Sequence, residues 1–388
     1  MNARVPDMMQ VMEALIATPS ISSARPELDQ GNREVIDLLA GWFTDLGFSV
    51  NVSPIPEQPQ KANMLATLGQ GSGGLVLAGH TDTVPYDDGR WTHDPFRLTE
   101  RDGRLYGLGT ADMKGFFALI MEAVRGLSAD DLDHPLTVIA TANEETDMAG
   151  AKALAEDQFS GARYAVIGEP TGMRPVHLHK GIMMEAVHLT GHSGHSSDPA
   201  QGVSALDGMY RVIGELMAWR KELAGSHRDD RFLVPIPTLN LGHVHGGDNP
   251  NRICAECTLH LDLRPLPGMD LENLRHDLRE RVRKALAHSE LRVHFETLFD
   301  GVPPLETAPD SRLVREMEQL TGQAAGAVTF GTEGPYLTRL GMETVILGPG
   351  DLAQAHQPDE YIERDRVGPT VEILQQLIAR FCAPGSEA

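Results

Sequence analysis

Cysteine is scarce in this sequence. Cys254, Cys257 and Cys382 are the only three in 388 residues, too few for a disulfide framework. Long apolar runs are missing as well. No stretch approaches the roughly 18 residues of a membrane span. The opening "MNARVPDMMQVMEALIATPSI" lacks the apolar core and small-residue cleavage site of a signal peptide. Basic residues are in the minority, 33 Lys and Arg against 55 Asp and Glu, a formal charge of −22. Such a field repels nucleic acid and anionic membranes, so neither is an expected partner. These absences lead us to expect a cytoplasmic soluble protein. Low-complexity segments and internal repeats are absent too. The composition that remains, 41% hydrophobic and 23% charged, is that of a globular chain, and the length favours two domains.

Apolar residues recur at helical spacing over roughly 31–47, 113–127, 203–223, 271–287 and 366–382. Nearer the start of the sequence, Val11, Met12, Leu15 and Ile16 fit one face of a short helix. Between the helices lie short, almost wholly apolar runs: "LVLAG" (75–79), "LTVIATA" (136–142), "YAVIG" (164–168) and "TVILG" (344–348). Strands apolar on both faces belong in the middle of a helix-covered sheet, which predicts an α/β domain with a mixed, mostly parallel sheet sandwiched by helices. The middle of the chain alternates instead. "MEAVHLT", a helix, "PTLNLGHVH", "TLHLDLR", a second helix and "LRVHFETL" follow one another in β-α-β-β-α-β order, the ferredoxin-like pattern. We therefore expect an inserted domain at 181–292 within a catalytic domain made of 1–180 and 293–388.

Open α/β sheets bind ligands beyond the carboxyl ends of their strands, so the residues following each apolar run are informative. After "LVLAG" come His80 and Asp82; after "LTVIATA", Glu144 and Glu145; after "YAVIG", Glu169; after "TVILG", a loop carrying His356. "LYGLGTADMKG" adds Asp112 at the entrance to a helix. Carboxylates crowded at one sheet edge repel, and a bound divalent cation compensates them. Imidazole and carboxylate donors without thiolate suit zinc, cobalt or manganese, with zinc the commonest. One catalytic zinc takes about three protein ligands. His80, Asp112, Glu145, Glu169 and His356 make five, which predicts two cations sharing a bridging carboxylate. Glu144 is left over to move a proton between a water and a leaving amine, so the chemistry suggested is amide hydrolysis. Asp82 lies two residues after His80 and on the same side of extended backbone. Its carboxylate is expected to accept the ring N–H of His80.

Other signals fail. "GLGTADMKG" has Asp112 where a phosphate loop would need glycine. "GHSGH" lacks the last glycine of a nucleophile elbow. Cys254 and Cys257 have no partner pair at zinc-finger spacing and read as packing residues.

The segments "GHTDTVP" (79–85), "GLGTADMKG" (107–115), "NEET" (143–146), "GEPT" (168–171), "GHSGHSSDP" (191–199) and "QAHQPDEYI" (354–362) resemble, in order and over nearly the whole chain, the aminoacylase/succinyl-diaminopimelate desuccinylase family of co-catalytic metallohydrolases. The resemblance implies a zinc-peptidase-like catalytic domain with an inserted lid and dimerisation domain. It implies one cation, zinc or cobalt, on His80, Asp112 and Glu169, and another on Asp112, Glu145 and His356. Asp112 bridges the two, with a cis peptide between Asp112 and Met113. Glu144 is the implied general base and Asp82 the residue that orients His80. His195 is implied to reach the partner subunit's active site in a homodimer formed through the inserted domain, where it stabilises an oxyanion. Asn251 and Arg264 match positions linked to substrate or intermediate binding. By charge, Lys180 and Glu333 are candidates for the carboxylate and the side-chain ammonium of an N-acetylated amino acid.

Overall fold

A computed structural model describes residues 5–386 of the chain. The ends of the expected catalytic domain, residues 1–4 and 387–388, lie outside the described residues. The chain divides into two compact units, one holding the residues up to His177 with Thr307–Gly326 and Thr332 onward, the other Leu178–Glu306 with Ala327–Gly331.

The first unit is built on a mixed sheet. The strands Leu136–Thr141, Leu75–His80, Tyr164–Ile167 and Glu343–Ile346 lie side by side and run parallel. Gln58–Leu68 pairs antiparallel with Leu136–Thr141, and Ser49–Ile55 pairs antiparallel with it in turn. Five of these six strands therefore point the same way. These four parallel strands are the four apolar runs of the sequence, and every residue of Leu75–His80 and Leu136–Thr141 is buried. Burial on both faces needs a layer on each side. Helix Arg33–Asp45 packs on the two N-terminal strands, Lys114–Ala123 and Arg364–Phe381 on Leu75–His80, and Arg312–Thr321 and Gly334–Arg339 on Glu343–Ile346. Helix Met8–Ala17 begins with a reciprocal cap: Asp7 Oδ1 accepts Gln10 N at 3.0 Å and Gln10 Oε1 accepts Asp7 N at 3.1 Å. It buries Val11, Met12, Leu15 and Ile16, the four residues of the sequence pattern.

The second unit contains a four-stranded antiparallel sheet in the order Thr238–Gly246, Glu256–Arg264, Ile182–Thr190, Arg292–Val302. Helices Ala205–Ser226 and Leu271–Ala285 cover one face, burying Met209, Val212, Leu216, Trp219, Leu274, Leu278 and Val282 against Leu259, Leu261, Leu263, Val187 and Leu189. Each such side chain contributes roughly 1.5–3 kcal/mol when fully buried. Cys257 belongs to this core, and Cys254 packs at its margin. The unit extends past the expected boundary at 292. Arg292–Val302 pairs along Ile182–Thr190, so an edge at 292 would strip that strand of its hydrogen-bond partner.

Among the described residues no helix is long and apolar enough to cross a membrane.

One buried charge in the second unit depends on its partners. Glu185 is fully buried; Arg275 Nε donates to its Oε1 at 2.7 Å, Thr297 Oγ1 to the same oxygen at 3.0 Å, and Arg279 approaches Oε2 at 3.3 Å. Arg275→Met should destabilise the chain by about 3 kcal/mol, because the carboxylate stays buried with its main counter-charge gone. Guanidinium denaturation of the full chain should show a lower midpoint, and an unchanged midpoint would remove this pair from the list of structural supports.

Candidate metal centre

Parallel strands present their carboxyl ends at one edge, and the sequence places a donor after each. His80 ends the Leu75–His80 strand, Glu144 and Glu145 follow Leu136–Thr141, and Glu169 follows Tyr164–Ile167. Asp112 enters from the loop before helix Lys114–Ala123 and His356 from the loop after Glu343–Ile346. His80 Nε2 lies 3.1 Å from Asp112 Oδ1 and 3.7 Å from Glu169 Oε1. His356 Nε2 lies 3.3 Å from Asp112 Oδ2 and 3.0 Å from Glu145 Oε1. Asp112 thus turns one oxygen to each imidazole. Two triples whose donor atoms all lie within 4.8 Å of one another result, His80–Asp112–Glu169 and Asp112–Glu145–His356. Glu144 joins His80 and Glu145 in a third, so it faces the same volume.

These residues suit divalent cations. Tetrahedral zinc with bonds of about 2.0–2.1 Å spaces its ligands at roughly 3.3 Å, close to the separations here. Glu169 Oε1 is buried with no hydrogen-bond partner among the described residues, a costly state for a carboxylate oxygen that a cation would relieve. Three carboxylates and two imidazoles without thiolate form a hard-to-borderline donor set.

Protons carry part of the compensation in the metal-free protein. Hydrogen bonds to the Asp112 and Glu145 carboxylates push the His356 ring up to about 11. For His80, burial pulls downward, yet the hydrogen bond to Asp112 and the charge of Glu169 outweigh it and hold the ring well above its usual value. Burial also opposes ionisation of Asp112, but the two imidazoles keep its carboxyl below the ordinary range. Burial, then repulsion from neighbouring carboxylates, raises Glu144 and Glu169 well above theirs.

Asp82 departs from expectation. His80 Nδ1 bonds the main-chain oxygen of Asp82 at 2.9 Å, whereas the Asp82 carboxylate stands 3.8 Å away. That carboxylate instead accepts Glu144 N at 3.2 Å on Oδ1 and Glu145 N at 3.1 Å on Oδ2. One residue therefore orients His80 through its backbone and pins both glutamates through its side chain. The carboxylate turns away because two backbone N–H groups at the start of the "EE" pair are the better donors within its reach.

The turn before those glutamates rests on residues that the sequence reading missed. Asn143 has φ +61°, a conformation Asn tolerates better than most. Its Oδ1 accepts Lys61 Nζ at 2.6 Å and Ser22 Oγ at 3.2 Å, and its Nδ2 donates to Gln58 Oε1 at 2.8 Å. Lys61 also binds Asp29 at 2.6 Å. Glu360, behind Asp112, was missed as well. Contacts with residues dozens of positions away leave no local signal.

Glu333 joins the cluster. It is buried; Oε2 accepts Thr141 Oγ1 at 2.9 Å, Oε1 has no partner, and burial pushes its carboxyl up to about 7. The Asp112–Met113 peptide is cis.

Four candidates lie in the second unit. His195 is exposed, with Nδ1 2.7 Å from Ser197 Oγ. Its backbone bridges Arg252, and Ser196 N donates to the carbonyl of Asn251 at 3.0 Å, so the His195 and Asn251 loops are tied together. Arg264 ends a strand and pairs with Asp262 at 3.0 Å. Lys180 is the fourth. It is buried, donates to the Ile236 carbonyl at 2.6 Å and lies over the Phe232 ring.

The profile described as Peptidase family M20/M25/M40 matches residues 76–380. Among solved structures, aminopeptidase PepT from Bacillus cereus ATCC 10987 is 20% identical with TM-score 0.74, covering 96% of this chain and 97% of that one. Human carnosine dipeptidase 1 is 19% identical with TM-score 0.69, covering 96% of each. The YXEP protein of Bacillus subtilis, described as a dinuclear metal binding peptidase from the M20 family, is 13% identical with TM-score 0.66, again covering 96% of each. At these identities the likeness shows the fold.

Cation binding should release protons. His356, pushed up to about 11, carries one at pH 7 that a cation must displace. Apparent affinity should therefore climb with pH through neutrality and fall as the medium is acidified. Calorimetric titration of the metal-free protein in buffers of different ionisation enthalpy checks this, and identical heats in every buffer would contradict it.

Proposed function

Because the chain belongs to peptidase family M20/M25/M40, we propose that it is a two-cation amidohydrolase that converts N-acetyl-L-ornithine and water to L-ornithine and acetate, the acetylornithine deacetylase step of arginine biosynthesis. The observation that carries the hydrolytic reading is Asp112, which offers one oxygen to each of two donor triples beside a carboxylate outside both. The finer substrate reading rests on the sequence. "DDGRWTHDPF", "HLHKG", "LNLGHVHGGDNPNRICAECTLHLDLRPLPGM" and "LGPGDLAQAHQPDEY" closely resemble acetylornithine deacetylase.

His80, Asp112 and Glu169 would hold one cation, and Asp112, Glu145 and His356 the other, zinc or cobalt by donor type. Cations held there supply Lewis acidity that makes water nucleophilic and polarises an amide carbonyl. Glu144 takes the proton from the attacking water and delivers it to the amide nitrogen as the C–N bond breaks. A carboxylate outside both donor triples can hold that proton between the two events. Asp82 fixes the backbone from which Glu144 and Glu145 depart.

We assign His195 to the oxyanion in the partner subunit's site, with Asn251 and Arg264 toward the substrate. A homodimer through the second unit is supported by an unpaired edge strand, Thr238–Gly246, and by Leu206, Tyr210 and Met217 exposed along one helix. Such an edge and apolar row need a cover. The free cysteines suit a reducing, cytoplasmic setting.

A broader N-acyl-amino-acid amidohydrolase or metallodipeptidase is the second reading, favoured by the dipeptidase and peptidase structures that share the fold. Glu144 beside a complete donor set speaks against a non-catalytic metal-binding paralogue.

Glu144→Gln should keep both cations while kcat falls about 10²–10⁴-fold, whereas His80→Ala should lose cation first; metal analysis beside a deacetylation assay separates them. Near-normal turnover in Glu144→Gln would remove the base assignment.

Glu333 is assigned to the ornithine ammonium. Glu333→Gln should raise KM for N-acetylornithine about tenfold, the loss of one charge-assisted hydrogen bond, and leave N-acetylmethionine unchanged. A panel of N-acetyl amino acids and dipeptides decides the substrate. Equal or faster turnover of dipeptides would replace the deacetylase reading with the dipeptidase one.

A further inference from the structure

Behind the donor cluster lies a buried carboxylate that belongs to neither triple. Glu360 is 1% exposed. Its Oε1 accepts three backbone N–H groups of one loop, Gly109 at 3.0 Å, Ala111 at 2.8 Å and Asp112 at 3.0 Å. Its own carbonyl accepts Gly107 N at 3.0 Å. A single residue thus clasps the loop from Gly107 to Asp112 through main chain and side chain together. Three hydrogen bonds converge on one carboxyl oxygen, so the clasp is firm.

Register places Glu360 there. The strands Thr99–Arg101, Arg104–Tyr106 and Tyr361–Glu363 form a small antiparallel sheet in which Tyr361 pairs with Tyr106 and Ile362 with Leu105. Residue 360 therefore falls opposite Gly107, where the loop begins. The loop leaves little room to drift. Gly109 has φ +88°, and a Cβ there would meet Lys114 Cε at 2.8 Å and Thr83 Cγ2 at 3.0 Å.

The same residue belongs to the segment that carries His356, four positions earlier. That segment is braced on its other side by Asp359, whose carboxylate accepts Thr92 N at 2.9 Å, Thr92 Oγ1 at 2.7 Å and His93 N at 3.0 Å. Asp112 and His356 are members of one donor triple that arrive on separate loops, and Glu360 is the tie between those loops.

We propose that Glu360 is a positioning residue of the cation centre: by holding the main chain of Asp112 against the segment of His356, it sets the separation of two donors of the Asp112–Glu145–His356 triple. The proposal rests on the two-cation reading given above. Glu360 touches no substrate. It acts through the backbone of a donor, as outer groups orient ligands in metal sites generally.

The conservative variants separate positioning from mere bracing. Glu360→Gln keeps an oxygen at the right distance for the three N–H groups. Glu360→Asp keeps the charge but draws the oxygen back by one methylene. Glu360→Ala leaves three buried N–H groups without an acceptor. The test uses metal-free full-length protein titrated with Co²⁺, followed by its visible absorption and by equilibrium dialysis, with thermal unfolding of each metal-free variant alongside. In the wild type, two Co²⁺ should bind. Glu360→Ala and Glu360→Asp should retain one Co²⁺ of native affinity while the second weakens about 10- to 100-fold, with an altered absorption band. Glu360→Gln should stay within about threefold of wild type, because the acceptor geometry survives.

Native affinity for both Co²⁺ ions in Glu360→Ala and Glu360→Asp overturns the proposal. So does a loss shared equally by both sites that tracks the fall in unfolding temperature. If Glu360→Ala does not fold, Glu360→Asp and Glu360→Gln decide the matter by the same criteria. A wild-type chain that binds fewer than two Co²⁺ ions would instead defeat the two-cation reading, an outcome visible before any variant is examined.

Discussion

Buried negative charge at one end of a parallel sheet is the constraint on which this structure depends. Asp82, Asp112, Glu169, Glu333 and Glu360 are all buried, and Glu144 and Glu145 lie beside them. Carboxylates do not collect away from water unless something compensates them. The protein uses imidazoles, backbone N–H groups and shifted protonation. It also leaves a carboxylate oxygen of Glu169 with no hydrogen-bond partner among the described residues. That residual deficit is what makes the cluster a receptor for cations and not simply a polar core.

The same charges are put to different uses by what surrounds them. Asp112 is held ionised by two imidazoles. Glu144 is pushed toward its protonated form by burial and by Glu169. Two carboxyl groups in one pocket thereby acquire opposite tendencies. Asp82 and Glu360 use their carboxyl oxygens to accept backbone N–H groups, which turns them into braces. The Asn143 turn adds a third support from Lys61, Ser22 and Gln58. Donors are thus fixed from behind before any ligand arrives.

How much of this was legible varied with how local the cause was. The four central strands declared themselves through runs of apolar residues, because a strand buried on both faces has no polar positions. His80, Glu144, Glu145 and Glu169 were visible as the residues that follow them, and Asp112 and His356 as polar residues in glycine-bearing loops. The end of the inserted unit was less visible. The segment "LRVHFETL" reads as the last strand of the ferredoxin-like pattern, but how far it runs past 292 is settled by pairing with Ile182–Thr190. Lys180 was singled out by its charge, and its bond to the Ile236 carbonyl is a contact that only folding supplies. Asp82 was expected to meet His80 through its side chain, since spacing in sequence says which residues are near and not which donor wins.

By itself, then, the sequence determined the kinds of element, their order and the donors waiting at the strand ends, because hydrophobic period and residue type are properties of neighbours along the chain. Tertiary structure decided which oxygen faces which nitrogen: Asp112 split between His80 and His356, Asp82 turned onto the two glutamates, and Glu360 drawn against a loop some 250 positions earlier in the chain. Those choices depend on competition among donors that only folding brings within about 3 Å, and no local pattern encodes its outcome.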